Sequence, residues 1–301
     1  RSLEQFPNAT NLSIERARIQ IALGKYEIAE ETLNQVHLRD KANASTLAAL
    51  SDVYLHLGKE VESQQNWMMS IGDTMPKIQQ YRNTHSYGLM LANAGKIATA
   101  KKTLEFCSNY ASDANLLTKA MECASSQLSI AIAVKPSTDW QPAIEQFTKV
   151  LEHPELQEKW KKQYAIQLQY AKALQLLDQG KLEKAILISQ QIEAASLKVQ
   201  LEQMKNYAQL IAQKIDLYKK DAAALKELQT SLDKNFSGST EPCDVSFLRY
   251  EIAETLDDDL RSKKALETLV SQSCTPDKQV EGIRISRAKL ELAKKYNKNK
   301  D

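Results

Sequence analysis

Glycine and proline are scarce in this sequence, with 8 and 7 residues among 301. Because a fold built from many tight turns uses these residues heavily, their scarcity argues against a sheet-rich protein. Long apolar runs are also missing, since the longest, Ile130 to Val134, is far too short to cross a bilayer. We therefore expect no membrane span within this chain. The abundant residues are Ala, Leu, Lys, Glu and Gln, which favour helices.

An excess of charge of one sign is absent as well. The 40 basic and 38 acidic residues give a formal net charge of +2. A protein dedicated to nucleic acid usually shows a basic surface, so we expect no nucleic-acid partner. The lysine-rich end, KKYNKNKD, is a local exception.

Reactive motifs are equally hard to find. The histidines form no HExxH motif, the cysteines form no C-x-x-C pair, and Asp257-Asp258-Asp259 lacks the remaining ligands of a calcium loop. We expect no metal site, no cofactor and no catalytic residues, and therefore predict that the protein is not an enzyme. The residues considered are His37, His56, His85, His153, Cys107, Cys123, Cys243 and Cys274.

A Gly-Lys pair recurs four times and raises the question of a phosphate-binding loop. Such a loop needs a Ser or Thr directly after the lysine to hold magnesium, whereas Tyr26 follows Lys25. The other three copies are also followed by residues without a suitable hydroxyl. A repeated glycine between apolar-periodic stretches instead indicates the end of a helix within a repeat. The pairs are Gly24-Lys25, Gly58-Lys59, Gly95-Lys96 and Gly180-Lys181.

Small residues recur at fixed distances from these glycines, seven before and five after. Only a small side chain lets two helices approach closely, so each pair predicts a helical hairpin. The four pairs are Ala17 with Ala29, Ser51 with Ser63, Gly88 with Ala100, and Ala173 with Ala185. Three further pairs with the same twelve-residue separation lack the glycine, namely Ala131 with Ala143, Ala212 with Ala224, and Ala253 with Ala265. A last helix offers Ala288 and no partner helix.

The first two repeats, 34 and 37 residues long by their glycines, make the chain resemble a tetratricopeptide repeat protein. The resemblance implies an all-α, right-handed superhelical solenoid of about seven helical hairpins with a C-terminal capping helix. Large residues expected in the hairpin cores are Leu33, Trp67, Leu104, Phe147, Leu228 and Leu269, with Trp140 also assigned to packing and Ser189 departing from the pattern. We expect repeats one to six in 1–234, a linker-like turn in 235–242, and a seventh hairpin with the terminal helix in 243–301, continuous with the solenoid.

The resemblance also places a binding groove on the first helix of each hairpin. Counting from the small residues, the groove residues are Arg18, Asp52, His56, His85, Asn93, Tyr170, Asp178, Gln213, Tyr250 and Glu254. Most of the clamp by which chaperone-binding members hold a C-terminal carboxylate is missing, because its positions carry Ile14, Arg18, Ala49, Arg82 and Ser86.

The function implied is that of a non-catalytic scaffold whose groove binds a partner protein or peptide. Two alternatives remain open. One is a peptide- or ligand-sensing domain of a larger receptor or signalling enzyme, which the start at Arg1 permits. The other is the scaffold of a bacterial envelope assembly for secretion, pilus formation or polysaccharide export.

Four cysteines give the main indication of compartment. Cys243 and Cys274 lie at the two ends of the predicted seventh hairpin, where antiparallel helices bring them together, so we favour a disulfide there over two free thiols. Cys107 and Cys123 are expected to be free and buried. A disulfide would indicate an oxidising compartment, so the prediction leans towards a periplasmic or secretory location, with the cytoplasm as the alternative.

Overall fold

The computed structural model describes residues 10–134, 140–199, 212–219, 221–235, 243–271 and 281–298. These residues are almost entirely helical, and no β-strand occurs among them. The all-α prediction is confirmed. The helices are α1 (Thr10–Ala22), α2 (Tyr26–Arg39), α3 (Ala44–His56), α4 (Glu60–Ser70), α5 (Lys77–Asn93), α6 (Ile97–Asp113), α7 (Leu117–Ala133), α8 (Gln141–Leu151), α9 (Glu158–Asp178), α10 (Leu182–Val199), α11 (212–219), α12 (Ala222–Asn235), α13 (Cys243–Thr255), α14 (Asp259–Val270) and α15 (Glu281–Lys298).

The chain divides into two compact units, residues 1–123 and 124–301, here named the N-terminal and C-terminal units. Consecutive helices pair as antiparallel hairpins within each unit, for example α3 with α4 and α13 with α14. The linker-like turn predicted over 235–242 lies outside the described residues beyond Asn235, so the boundaries proposed around it remain a prediction.

Small residues pack between the two helices of a hairpin, as predicted. Ala17, Ala29, Ala173 and Ala185 are completely buried. In the second hairpin the hydroxyl of Ser51 donates to the carbonyl of Ser63 at 2.8 Å, and that of Ser63 donates back to the carbonyl of Ser51 at 2.7 Å. Such reciprocal bonds are possible only where two backbones lie close together.

The recurring glycines end helices. Gly24 has φ +71°, a left-handed conformation that glycine adopts without strain, and the amide of Lys25 donates to the carbonyl of Gln20 at 2.8 Å. The same turn recurs at Gly58, Gly95 and Gly180. These positions are therefore helix C-caps, in agreement with the rejection of a phosphate loop.

A turn that the sequence pattern missed lies between α6 and α7. Asn115 adopts φ 55°, and the amide of Leu116 donates to the carbonyl of Ala111 at 2.8 Å, which reproduces the glycine turns with an asparagine. The hydroxyl of Ser108 then donates to the carbonyl of Ala120 at 3.2 Å across the two helices. The close approach of small residues twelve apart therefore also occurs between α6 and α7.

This unrecognised turn explains why the expectation of free thiols at Cys107 and Cys123 was wrong. The two residues form a disulfide, with Cα atoms 5.9 Å apart and both side chains fully buried. Cys107 precedes Ser108, and Cys123 lies one turn beyond Ala120. The contact that joins α6 to α7 therefore also places the two cysteines opposite each other. The other predicted bond remains a prediction, because Cys274 and the side chain of Cys243 lie outside the described residues.

The small-residue register was wrong in the predicted sixth hairpin. Ala212 is exposed, whereas Ile215 and Leu225 are buried. An apolar cluster of larger side chains joins α12 to α13, and Leu217 of α11 packs against it. Bulky side chains hold helices further apart, so a small residue is not required at this position. The cluster consists of Leu225, Leu232, Leu248 and Ile252.

The terminal helix caps the last hairpin, as predicted. Ala288 of α15 is fully buried and packs with Leu266 and Leu269 of α14 in one apolar cluster. Asp258 caps α14 by accepting a hydrogen bond from the amide of Arg261 at 3.1 Å. The aspartates at 257–259 therefore form a turn and a helix cap.

Candidate interaction surface

His56, a predicted groove residue of the N-terminal unit, lies in an aromatic stack next to a second predicted residue, Asp52. The ring of His56 stacks on Tyr26 with centroids 4.5 Å apart, and its Nε2 lies 3.4 Å from the carboxylate of Asp52, one turn earlier on α3. A carboxylate and an aromatic ring thus fix the orientation of this imidazole. The His56 side chain is 39% exposed, so part of the stack is accessible from solvent.

His85 lies in a second, more enclosed polar cluster of the same unit. Its ring stacks on Tyr81 at 5.7 Å, and the hydroxyl of Tyr81 donates to Glu122, which also pairs with Lys119 at 2.5 Å. Burial lowers the pKa of His85; the charge of Glu122 opposes this shift and that of Lys119 adds to it. His85 is therefore neutral at pH 7 and can both donate and accept a hydrogen bond.

The remaining predicted residues of this unit are peripheral. Arg18 is exposed and pairs with Glu15 on its own helix. Asn93 is exposed at the end of α5. An exposed pair of this kind contributes little to stability.

The C-terminal unit contains a cavity of about 380 Å³. It lies among α7, α9, α11 and α13, together with the residue that precedes α8. A cavity of this volume falls within the range of small-ligand sites, and it also accommodates a few side chains of a peptide. The lining residues are Ile132, Trp140, Leu174, Leu177, Asp178, Lys214, Leu217, Tyr218, Tyr250, Glu251, Glu254 and Thr255.

Aromatic and aliphatic side chains form much of this lining. Trp140 is 2% exposed, and its indole nitrogen donates to the carbonyl of Val134 at 3.4 Å, which fixes the ring. Tyr250 is 8% exposed, whereas Tyr218 is 47% exposed. The Tyr218 hydroxyl lies next to Gly180, where an added Cβ would be 3.7 Å from it. The cavity thus combines rigid buried rings with one accessible tyrosine.

Among the described lining residues carboxylates outnumber ammonium groups, since they include Asp178, Glu251 and Glu254 but a single lysine. Lys214 pairs with Glu251 at 2.7 Å. Glu254 pairs with Lys295 of α15 at 2.6 Å and accepts a hydrogen bond from the hydroxyl of Ser262. The formal charge of the described lining residues is therefore negative.

The acidic side chain of Glu254 is held ionised. Burial alone would raise its pKa, but hydrogen bonds from Lys295 and Ser262, together with the charge of Lys295, lower the pKa below its usual value of 4.5. Lys295 also lies 2.8 Å from Asp259. The terminal helix thereby supports one wall of the cavity.

Three of the five groove residues predicted in this unit, Asp178, Tyr250 and Glu254, line the cavity together. Tyr170 and Gln213 are half-buried and lie outside its lining. Gln213 was assigned by counting from Ala212, whose register was wrong.

Sequence reasoning missed Lys214, Tyr218 and Glu251, and it treated Trp140 as packing alone. The structure buries Trp140, as predicted, and also places it against the cavity. The signal available in the sequence was the four-residue spacing of Lys214 and Tyr218, which puts both on one face of a helix.

A larger cavity of about 770 Å³ lies among α8, α9 and α10. Its described lining includes two glutamates and two lysines but no aromatic ring, so its formal charge is balanced. Open polar surfaces of this kind are common between helices, and we assign no function to it.

The described residues contain no group of three or more potential metal ligands. None of their helices is both long and apolar enough to cross a membrane.

Comparisons with known proteins agree with this architecture. A family model described as coatomer epsilon subunit matches residues 3–86, which is a little over a quarter of the chain. The solved structure of a tetratricopeptide repeat protein from Parabacteroides merdae ATCC 43184 is 15% identical in sequence, with a TM-score of 0.53, and the match covers 93% of this chain and 98% of that one. A comparison with curated proteins found no significant match. The hairpins, their small-residue contacts and this structural likeness together establish that the chain has the fold of tetratricopeptide repeat proteins.

Proposed function

We propose that this protein is a non-catalytic scaffold that binds a partner protein or peptide on the first helices of its hairpins. The observation that carries the proposal is the cavity among α7, α9, α11 and α13, where predicted groove residues meet buried aromatic rings and ionised side chains. The fold is one that generally serves protein interaction, because stacked repeats provide an extended surface without reactive residues. The matched family model is itself named for a subunit, a protein that works within an assembly.

The proposed compartment is oxidising, such as a periplasm or a secretory lumen. The Cys107–Cys123 disulfide supports this location, because cytosolic thiols are kept reduced. An exported scaffold is also compatible with a role in an envelope assembly. Thiol titration of the unfolded, unreduced protein isolated from its source cells tests the location: at most two free thiols are expected, and four would contradict it.

Quantitative affinity capture from an extract of the source organism tests the scaffold role. One variant replaces Arg18, Asp52, His56 and Tyr170 together, and a second combines Tyr218→Ser with Asp178→Asn. A matched control carries Val61→Ser and Met68→Ser, which alter exposed side chains on α4, a second helix.

We expect at least one protein to bind the wild type and the control but to fall about tenfold with a groove variant, the loss that corresponds to roughly 1.4 kcal/mol. Circular dichroism confirms that each variant is folded. Capture of the same proteins at equal levels by all four forms would contradict the proposal.

A further inference from the structure

We infer that the cavity of the C-terminal unit accepts a cationic side chain, flanked by apolar residues, from an exposed segment of the partner protein. The inference rests on the proposed scaffold function and names the chemistry of the segment that binds. It comes from the charge balance of the cavity, its aromatic lining, and the position of Lys214.

Charge complementarity is the first argument. Asp178, Glu251 and Glu254 line the cavity. Among the described residues of the cavity and its supporting wall, these three and Asp259 make four carboxylates, and Lys214 and Lys295 supply two ammonium groups. An acidic or phosphorylated segment would meet more carboxylates than ammonium groups among these described residues, whereas an arginine or lysine would meet groups of mainly opposite charge.

The apolar lining favours a cation that is carried on a hydrocarbon stem. Lysine and arginine bury their methylene groups against apolar surface while the charged end remains near polar groups. Leu174, Leu177 and Leu217 supply such a surface, and the tyrosine and tryptophan rings can face a cation. Neighbouring apolar side chains of the same segment would cover the remaining aliphatic surface.

Lys214 holds a position that a partner cation can take. Its ammonium lies 2.7 Å from Glu251, and its side chain is 30% exposed while that of Glu251 is 17% exposed. The lysine is long and reaches the glutamate from α11, so an incoming arginine with a bidentate guanidinium can displace it. In the unoccupied chain Lys214 thus keeps Glu251 paired.

Fluorescence anisotropy with labelled synthetic peptides tests this chemistry. The probe is Gly-Ser-Leu-Arg-Leu-Arg-Leu-Ser-Gly, and its two counterparts carry Gln or Glu in place of both arginines. We expect the arginine peptide to bind at least about tenfold more tightly than the glutamine peptide, and the glutamate peptide to bind weakest. The affinity of the arginine peptide should fall as salt is added.

Variants locate the binding in the cavity. Asp178→Asn with Glu251→Gln should weaken binding of the arginine peptide at least about tenfold. The control, Glu183→Gln with Glu227→Gln, removes the same charge from exposed positions on α10 and α12 and should leave the affinity unchanged. Lys214→Gln should strengthen binding, because it removes the internal competitor for Glu251. A variant that is merely misfolded cannot give this gain.

Equal affinity for the three peptides, an unchanged affinity in the cavity double variant, or weaker binding by Lys214→Gln would overturn the inference. Binding of free arginine amide as tight as that of the peptide would also overturn it, since the cavity would then be a small-cation site. A captured protein that depends on the groove, combined with failure of the arginine peptide, would reject only this inference. Failure of both experiments would reject the scaffold proposal as well.

Discussion

Two regions on first helices, the Tyr81 cluster of the N-terminal unit and the cavity of the C-terminal unit, differ in how completely their side chains fill the space between helices. In the N-terminal unit, Tyr81 reaches from α5 to Glu122 on α7, and Lys119 covers the Tyr81 ring with its ammonium 5.6 Å from the centroid. In the C-terminal unit, α7, α9, α11 and α13 leave a cavity of about 380 Å³ between them. The cluster around Tyr81 therefore pairs its polar groups with one another, while the cavity of the C-terminal unit has aromatic and charged groups arranged around open space.

The two units also differ in the sixth hairpin, which departs from the regular repeat. The N-terminal hairpins are joined by close turns and by small residues that bring the helices together, and Gly88 is required because a Cβ there would lie 2.7 Å from Leu104. The C-terminal unit replaces the small pair at Ala212 with larger buried residues such as Ile215 and Leu225. Lys214, Leu217 and Tyr218, which line the cavity, lie on this irregular helix, α11. The cavity and the departure from the repeat therefore occur together.

The largest expected effect tests what stabilises the N-terminal unit. In a Cys243→Ser, Cys274→Ser background, reduction of the Cys107–Cys123 bond should destabilise this unit by about 3 kcal/mol, the chain-entropy estimate for a loop of this length. Denaturant unfolding with and without dithiothreitol, followed by hydrogen exchange of peptides from each unit, measures the change. A further Cys107→Ala, Cys123→Ala variant should not respond to reductant. Equal loss of protection in both units would contradict a stabilising role confined to the N-terminal one.

Enlarged alanines test whether the two units share the same close helix contacts. Ala29→Leu and Ala185→Leu should each cost about 1 to 3 kcal/mol or more, because both side chains are fully buried between helices. Ala212→Leu should cost little, since Ala212 is exposed. Melting temperatures measure the three variants. A large loss for Ala212→Leu, or none for the other two, would show that the register is misassigned.

Much of the fold follows from the sequence because its signals are local. A small residue where two helices touch and a glycine in a left-handed turn are each dictated by sterics, so Ala17, Ser51 and Gly24 could be placed correctly. Asn115 was missed because asparagine adopts the left-handed turn less often than glycine and carries a weaker signal. Because that turn was not recognised, the sequence analysis could not predict that the cysteines on α6 and α7 face each other.

The candidate site was predicted less completely, because it depends on irregular packing. Counting along the repeat found Asp178, Tyr250 and Glu254, which lie on helices with the expected register. The same counting selected Gln213 in place of Lys214 and Tyr218, since α11 departs from that register. A cavity also depends on the distance between helices, which the spacing of residues along one chain does not determine.

The two units should also differ in their response to acid, with a smaller effect. The pKa of His85 lies below 6.5, so the folded N-terminal unit resists a proton that the unfolded chain binds, and stability falls as the pH drops below 6.5. The pKa of Glu254 lies below 4.5, so its contribution is complete above that pH and is lost as the pH falls through the lowered value.

Matched variants separate the two pH ranges in which stability is lost. His85→Phe keeps an aromatic ring next to Tyr81 but cannot take a proton, and it should flatten the loss of N-terminal stability that begins below pH 6.5. Glu254→Gln should lower C-terminal stability by at most about 1 kcal/mol at pH 7 and reduce its dependence on pH below 4.5. Hydrogen exchange at several pH values assigns each change to its unit. If Glu254→Gln changed the loss of stability that begins below pH 6.5, the assignment of that loss to His85 would be contradicted.

The smallest expected effect concerns the lysines of the Gly-Lys pairs. Lys59 pairs with Glu30 at 2.7 Å and Lys96 pairs with Glu60, so these lysines link one hairpin to the next on an exposed surface. The hydrogen bond with Glu30 raises the pKa of Lys59, but a solvated pair contributes little to stability. Lys25→Ala and Lys59→Met should therefore leave both partner capture and folding nearly unchanged, with Lys59→Met having less effect than Ala29→Leu or Ala185→Leu. If Lys25→Ala abolished partner capture in a chain with wild-type circular dichroism and melting temperature, the Gly-Lys turns would have a role beyond ending helices.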